Sequence, residues 1–436
     1  MKKTIALLLA LLLLLPVVAG CSSLEKAPLE SKTEEKNEET KTETKVETET
    51  KPSVTFVYPS VTDKLSAEKI AAFPLATNDM TVEERRKLCV DFFRFSQTFA
   101  WTPDEDHDFS YTLSGKTTNK TVKRGTVYGG LPYMRGTGNV YRIMEFYDPE
   151  SGVVDMKNAA ANQLYFGNQC SIGASWGWAR VVNSAEYQWT QGMVASCGFI
   201  PVGEYTYDFS IPRLGNGQIL STDVCKKNGE EVMFRSYAML KPADGLVYFT
   251  TAGHVIMCSS DPVVVKNSDG TINGEESYIT IIDQDTGWEE KTQSDGSVFL
   301  VQGSVDQKIT FAKLYKGDYI PFTFPELLGT DPIEEVSCKV NIEGDTVKRN
   351  DLPNVTVTAN YYISDVHLYV YDESGEELAH KVSRVSSAGR TEVPLGASIG
   401  VSGLKKYADG KHKIKITCQL GYGTCPTVWE GTLAAE

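Results

Sequence analysis

The chain has few histidines and none of the spacings typical of zinc ligands. Only five of its 436 residues are histidine, and neither CxxC nor HxxxH occurs despite nine cysteines. Structural zinc sites use such closely spaced ligands, so the sequence predicts no metal centre. It also lacks the nucleophile elbow of serine hydrolases. The glycine-rich stretch 128–138 has no following lysine–serine pair, which argues against phosphate binding.

Acidic residues outnumber basic ones, with 57 Asp and Glu against 43 Lys and Arg. The formal net charge is −14, and it becomes −16 if an N-terminal signal carrying Lys2 and Lys3 is removed. No basic stripe remains, which excludes the usual electrostatic footprint of nucleic-acid binding.

No apolar run is long enough to span a membrane. Lys2 and Lys3 precede an apolar run from Ile5 to Leu15 and then the sequence Val18-Ala19-Gly20-Cys21. A spanning helix needs roughly 20 apolar residues, so residues 1–20 are predicted to be a lipoprotein signal peptide. We expect Cys21 to carry the lipid, which gives an extracytoplasmic, membrane-anchored protein.

Changes of composition divide the rest of the chain. Residues 21–52 are mostly Glu, Lys and Thr, which predicts a disordered charged tether. Residues 53–325 carry the candidate site and an N-terminal helical extension, in which Thr81 and Glu84 predict a capping box. Residues 326–436 show short alternating strands separated by turns, which favours an immunoglobulin-like β-sandwich.

Cys170 lies where a loop runs into a predicted helix, between Gln169 and Ser171. The partial positive charge of a helix N-terminus favours thiolate over thiol, and the thiolate is the nucleophile. The Cys170 backbone N–H is a natural oxyanion-hole donor, with the Gln169 side chain or a group from the Tyr133 loop as the second. The sequence therefore predicts a nucleophile, and a buried structural cysteine is the alternative.

His254 lies at the entry to an apolar strand, from which a rigid sheet can aim its imidazole at a helix terminus. A Cys–His pair of this kind attacks an acyl carbon and protonates the leaving amine. We expect the group that orients the imidazole at the end of the next strand. Asp283 is favoured there, and Gln284 and Asp285 are further candidates. A nucleophile helix packed on a small antiparallel sheet is an α+β arrangement.

Four motifs resemble those of the NlpC-type and CHAP-type papain-like peptidases and amidases of bacterial cell walls, over residues 128–324. The matching segments are Pro132-Tyr133-Met134-Arg135-Gly136 for the Pro-Tyr-x-x-Gly loop, Gln169-Cys170-Ser171 for the nucleophile motif, Lys241-Pro242-Ala243-Asp244 with Gly253-His254-Val255 for the Pro-Gly-Asp and Gly-His-Val segment, and Asp283-Gln284 for the Glu-Gln of CHAP domains.

The resemblance implies a papain-like fold that hydrolyses a peptide or amide bond in peptidoglycan without metal or organic cofactor. We expect Tyr133, Ser171 and Trp176 to contact the substrate. Two positions depart from the pattern: Gln169 replaces an aspartate associated with binding a free stem-peptide amine, and Ala243 replaces glycine.

We therefore expect a surface lipoprotein that cleaves peptidoglycan or its peptides through Cys170, His254 and Asp283. Two other functions stay open from sequence. One is a catalytically inactive papain-like lipoprotein that binds cell-wall peptide or glycan. The other is transglutaminase-like acyl transfer, which uses the same groups but resolves the acyl-enzyme with an amine.

The cysteine count leaves the disulfides undetermined. Setting aside Cys21 as lipidated and Cys170 as catalytic leaves seven cysteines, an odd number that requires at least one more free thiol. Cys338 with Cys418 or Cys425 is the pair we expect to be bonded, since the predicted compartment permits disulfides.

Overall fold

The computed structural model describes residues 64–113, 116–182, 190–194, 199–207, 219–292, 298–385, 391–396, 400–421, 423 and 426–435. The predicted signal peptide, the expected lipidation site Cys21, the predicted tether and Cys425 lie outside these residues. In the described part of the chain, no helix is long and apolar enough to cross a membrane.

The helices are short, apart from one of fifteen residues. They are α1 (Ala67–Ala71), α2 (Val82–Ser96), α3 (Val140–Ile143), α4 (Met156–Ala161), α5 (Gln163–Phe166), α6 (Cys170–Trp178), α7 (Thr190–Val194), α8 (Ser221–Asn228), α9 (Glu230–Tyr237), α10 (Phe311–Lys316) and α11 (Pro325–Leu328), with the 3₁₀ helices η1 (Arg349–Asn354) and η2 (Val401–Tyr407).

The strands before residue 325 are β1 (Ala100–Pro103), β2 (His107–Leu113), β3 (Lys116–Val122), β4 (Tyr128–Gly129), β5 (Tyr147–Asp148), β6 (Val153–Val154), β7 (Ile200–Pro201), β8 (Gly245–Phe249), β9 (Gly253–Cys258), β10 (Tyr278–Ile282), β11 (Trp288–Thr292), β12 (Val298–Gln302), β13 (Val305–Thr310) and β14 (Ile320–Thr323). Those after it are β15 (Cys338–Val340), β16 (Thr346–Lys348), β17 (Thr356–Ala359), β18 (Ile363–Tyr371), β19 (Glu377–Arg384), β20 (Glu392–Pro394), β21 (Lys413–Leu420) and β22 (Thr427–Ala434).

The fold is mixed α+β. Six strands in the order β13-β10-β9-β8-β14-β7 form an antiparallel sheet that contains His254, which we call the His254 sheet. Every residue of β9 is buried, so this strand lies in the centre of the packing. A second six-stranded sheet, in the order β11-β12-β4-β1-β6-β5, lies in the same part of the chain.

Helix α6 packs between α2 and the His254 sheet. All nine of its residues are buried, and its glycines allow close approach. A Cβ on Gly177 would lie 2.8 Å from the Met257 side chain of β9, and one on Gly173 would lie 3.0 Å from Phe93 of α2. Cys170 lies on the same face of the helix as Gly177, seven residues or about two turns away.

After residue 325 the chain forms a three-stranded sheet, β15-β17-β20, and a five-stranded sheet, β16-β22-β21-β18-β19. We call the latter the His367 sheet. Inward residues of β18 and β21 such as Val366, Leu368 and Ile416 are fully buried, while outward ones such as His367 are half-buried. This alternation is typical of a sheet with one solvated face.

The two parts of the chain share one buried core across the predicted boundary at residue 325. The Trp176 ring of α6 packs against Tyr362, with ring centroids 5.5 Å apart. Beside it, Arg142 of α3 pairs with Asp365 of β18 at 3.2 Å, and both side chains are buried. We call these contacts the seam, and they fix the His367 sheet against the helix that begins at Cys170.

Candidate functional site

His254 and Asp283 form a buried hydrogen-bonded pair. His254 Nε2 lies 3.0 Å from Asp283 Oδ2, and the two side chains are 8% and 9% exposed. Asp283 follows β10 directly, and β10 pairs with β9. The sheet register therefore brings together two residues that are 29 positions apart in the sequence.

The carboxylate of Asp283 is held by a second contact. The backbone N–H of Ser304 donates to Asp283 Oδ1 at 2.5 Å, and the Asp283 N–H donates to the Ser304 carbonyl at 3.0 Å. Gly303 has φ +92°, and a Cβ there would lie 2.3 Å from the Asp283 carbonyl oxygen. Only glycine fits this turn, because it needs both a left-handed backbone and close approach.

Asp283 changes the acid–base behaviour of His254. Burial acts to lower the pKa of His254, but the hydrogen bond and negative charge of Asp283, with a smaller contribution from Asp285, outweigh it and raise the pKa above its usual value. Because Asp283 engages Nε2, Nδ1 is the nitrogen left for proton transfer. This is the arrangement of a general base oriented by a carboxylate.

Asp285 and Gln284 lie beside this pair but make different contacts. Asp285 Oδ1 accepts from the Thr286 N–H at 2.6 Å, and Asp285 acts on His254 only through its charge. Gln284 Nε2 donates to the Leu131 carbonyl at 2.7 Å, which ties the glycine-rich loop to the His254 sheet. Of the three candidates, Asp283 alone is hydrogen-bonded to the imidazole.

Cys170 is the first residue of α6 and is 1% exposed. Gln169 is the N-cap residue with extended backbone angles, and its side chain does not cap the helix. The first N–H groups of a helix have no partner within it, and they point towards the Cys170 end of α6. Cys170 therefore lies at a helix start, as the sequence predicts, and it is buried in the apolar core there.

The Cys170 sulfur is in a disulfide bond. The other cysteines that the structure describes form no disulfide; they are Cys89, Cys225, Cys258, Cys338 and Cys418. The sequence predicts a free thiol at Cys170 and a disulfide at Cys338, and the structure corrects both predictions. A disulfide sulfur is not a nucleophile, so the structure represents an oxidised form.

Cys338 and Cys418 are nevertheless neighbours across the two C-terminal sheets. A hydrogen bond with the Cys418 side chain lowers the pKa of the Cys338 thiol. The two cysteines are close together but are not joined by a disulfide, so the expected Cys338–Cys418 bond is wrong.

The three residues expected to contact substrate are all buried. Tyr133 is 1% exposed, Ser171 2% and Trp176 8%. Trp176 Nε1 donates to the Gly138 carbonyl at 3.1 Å, and its ring packs on Tyr362 in the seam. These contacts explain Trp176 as a packing residue between the two parts of the chain.

A β-hairpin formed by β2 and β3 packs against the segment before Cys170. The sequence pattern does not predict it. Strands β2 and β3 pair only with each other among the described strands. Phe109 stacks on Phe166 at 5.5 Å, and Tyr111 packs on Tyr133 at 6.2 Å. Lys120 donates to the Thr286 carbonyl. The hairpin therefore packs against segments that lie just before Cys170 and just after Asp285.

Ala243, which stands where the Pro-Gly-Asp motif has glycine, has a backbone conformation that favours glycine. It has φ +72°, a left-handed conformation that favours glycine. Its carbonyl accepts a hydrogen bond from Trp178 Nε1 of α6 at 2.7 Å, and the adjacent Asp244 pairs with Arg86 at 2.7 Å. The turn is thus held between α6 and α2 at some cost in backbone strain.

Among the described residues, no group of three or more His, Cys, Asp or Glu side chains is placed to hold a metal ion. Comparison with known proteins finds no matching family model and no matching curated protein. Any function therefore has to be inferred from the geometry of the site.

Proposed function

We propose that this chain is a papain-like cysteine peptidase or amidase, with Cys170 as nucleophile, His254 as general base and Asp283 as the residue that orients His254. The observation that carries the proposal is the buried pair at 3.0 Å, on the sheet against which the Cys170 helix packs. A carboxylate-bound imidazole, on a sheet packed against a helix that begins at a cysteine, supplies the groups that a Cys–His mechanism needs.

The reaction would proceed in two steps. The Cys170 thiolate attacks the carbonyl carbon and forms a carbon–sulfur bond, and the carbon–nitrogen bond breaks as His254 gives its proton to the leaving amine. Water, deprotonated by His254, then cleaves the thioester. Asp283 stabilises the protonated imidazole throughout.

Reduction of the Cys170 disulfide would have to precede the first step, because only a thiolate can attack. We therefore propose that the oxidised protein is inactive. In the lipoprotein form expected from residues 1–21, the substrate would be a peptide or amide bond of peptidoglycan, and the lipid on Cys21 would hold the enzyme at the membrane. The C-terminal part would be an immunoglobulin-like module.

The experiment is mass spectrometry of muropeptides and intact peptidoglycan after incubation with residues 53–436, with and without reductant. We expect cleavage products only from the reduced protein. A Cys170→Ala variant should yield none, and a Cys338→Ala variant, which removes a distant thiol, should match the unmodified protein. Addition of a primary amine distinguishes acyl transfer, since the amine would then appear in the product.

Products from Cys170→Ala, or no products from reduced and folded protein, would contradict a peptidase. The disulfide favours one other candidate, a non-catalytic protein that binds cell-wall peptide or glycan. In that case the oxidised protein would sediment with insoluble peptidoglycan, and reduction would leave the peptidoglycan intact.

A further inference from the structure

A second pair of ring nitrogens meets on the exposed face of the His367 sheet. Nδ1 of His367 in β18 lies 3.0 Å from Nε2 of His380 in β19. The ring planes differ by 21°, and the ring centroids are 5.2 Å apart. The centroid separation exceeds the nitrogen separation by about the width of one ring, so the two imidazoles lie end to end with one nitrogen of each facing the other.

The hairpin that joins β18 and β19 brings this pair together. Tyr369 is the cross-strand partner of His380, and its ring stacks on the His380 ring at 4.3 Å with an interplanar angle of 8°. His367 is half-buried and is diagonal to His380 in the register. Backbone pairing therefore holds the two imidazoles next to each other before any ligand binds.

The spacing suits two ligands of one metal ion. Zinc–imidazole bonds are about 2.0–2.1 Å long, so two nitrogens bound to the same ion lie roughly 3 Å apart. Imidazole is a preferred ligand of Zn²⁺, Ni²⁺ and Cu²⁺, and it must be neutral to bind.

We propose that His367 and His380 bind a divalent transition-metal ion such as Ni²⁺ or Zn²⁺ between their facing nitrogens. One of these nitrogens donates a proton to the other in the empty pair. On binding, that proton moves to the outer nitrogen of the same ring, each ring turns so that its lone pair points at the ion instead of at the other ring, and water completes the coordination. The bound ion would then link strand β18 to strand β19.

This site does not depend on the proposed peptidase. It belongs to a different sheet from His254, and it has two protein ligands rather than three, which agrees with the absence of larger clusters among the described residues. The two histidines are 13 residues apart, so no local motif identifies them. A site with two protein ligands is expected to exchange its ion readily.

The test is isothermal titration of untagged full-length protein with Ni²⁺ at pH 7.5, since Ni²⁺ favours imidazole. We expect about one Ni²⁺ per chain and at least tenfold weaker binding in both His367→Gln and His380→Gln. His412→Gln is the matched control, because His412 lies outside the pair and is hydrogen-bonded to Asp409. The His412→Gln variant should bind Ni²⁺ as the unmodified protein does. Mg²⁺, which prefers oxygen ligands, should not compete.

Binding that is unchanged in His380→Gln, or absent from the unmodified protein, would overturn the site. Thermal unfolding of each variant without metal shows whether it is folded. His380 is exposed, so His380→Gln keeps the test valid even if His367→Gln is destabilised.

Discussion

The molecule contains two histidine pairs whose partners give them opposite properties. His254 is buried against the carboxylate of Asp283, which raises the pKa of the imidazole. His367 lies against another imidazole, and burial together with the charge of His380 lowers the pKa of His367 to about 4. The nitrogen to acceptor distance is 3.0 Å in both pairs.

Burial acts to lower the pKa of both imidazoles, and the partner decides whether that effect is outweighed or reinforced. A carboxylate stabilises the protonated ring, so His254 is suited to take up and release a proton. A second imidazole disfavours protonation, so His367 is suited to offer a lone pair. We therefore propose an acid–base role for the first pair and a metal-binding role for the second.

The largest expected effect breaks the first pair. We expect Asp283→Asn to lower kcat by about 10³–10⁴-fold, because the neutral amide no longer stabilises the charged imidazole or fixes its tautomer. Hydrolysis of a muropeptide by the reduced protein measures this. Asp285→Asn is the matched control, since Asp285 acts on His254 only through its charge, and its effect should be much smaller. A larger loss in Asp285→Asn would reassign the orienting role.

The next effect tests whether the two pairs belong to one folding unit. Trp176 joins α6 to Tyr362 in the seam, so Trp176→Ala should lower the free energy of unfolding by about 3–5 kcal/mol. We expect urea unfolding of this variant to remain a single transition. Probes placed on either side of the seam should report the same transition. Tyr362→Phe, which keeps the ring, should change stability little. Two separate transitions in the unmodified protein would show independent domains.

The pH dependence of stability should have opposite signs for the two histidines. The pKa of His367 is lower when folded, so its burial costs stability as pH falls from about 6.5 to 4. The pKa of His254 is higher when folded, so its contribution is complete below the unfolded pKa and is lost as pH rises through the folded pKa.

Urea unfolding at a series of pH values measures this difference. His367→Gln should remove on the order of 2 kcal/mol of the acid-induced loss between pH 6.5 and 4. A His367→Gln variant that loses stability with acid as steeply as the unmodified protein would contradict the lowered pKa. The variant keeps Glu145 and Arg384, whose charges also act on His367, so that the imidazole is the group removed.

The smallest expected effect concerns backbone strain at Ala243, in the part of the chain that contains the His254 sheet. Ala243 has φ +72°, so Ala243→Gly should raise the free energy of unfolding by about 0.5–1 kcal/mol. Ala238 has ordinary helical angles at the end of α9, and Ala238→Gly should lower it by a similar amount. Thermal or urea unfolding measures both. Destabilisation by Ala243→Gly would show that the turn is not strained.

Local patterns predicted the local features of this fold. The capping box at Thr81 is present with both of its hydrogen bonds, because all its groups lie within one helical turn. A helix does begin at Cys170. The prediction that an acceptor after β10 meets His254 also held, because adjacent antiparallel strands bring their ends together.

Contacts between distant segments were not accessible from sequence. Tyr133 N–H donates to the Gln302 side chain across 169 residues, and Ser304 holds Asp283 through a turn that no motif marks. The hairpin of β2 and β3 shows alternation only weakly, since it carries Thr, Asn and Lys on its second strand. The His367–His380 pair depends on cross-strand register, which spacing rules for metal ligands ignore.

The most direct test of the proposed catalytic site is the alkylation rate of Cys170 after reduction. Mass spectrometry of protein treated with iodoacetamide at pH 5–8 gives the rate at each thiol. Cys89 is an internal reference, because burial raises the pKa of its thiol to about 12. We expect Cys170 to react below neutral pH far faster than Cys89, and to lose this advantage in His254→Gln. Slow labelling of Cys170, unaffected by His254→Gln, would contradict an activated nucleophile.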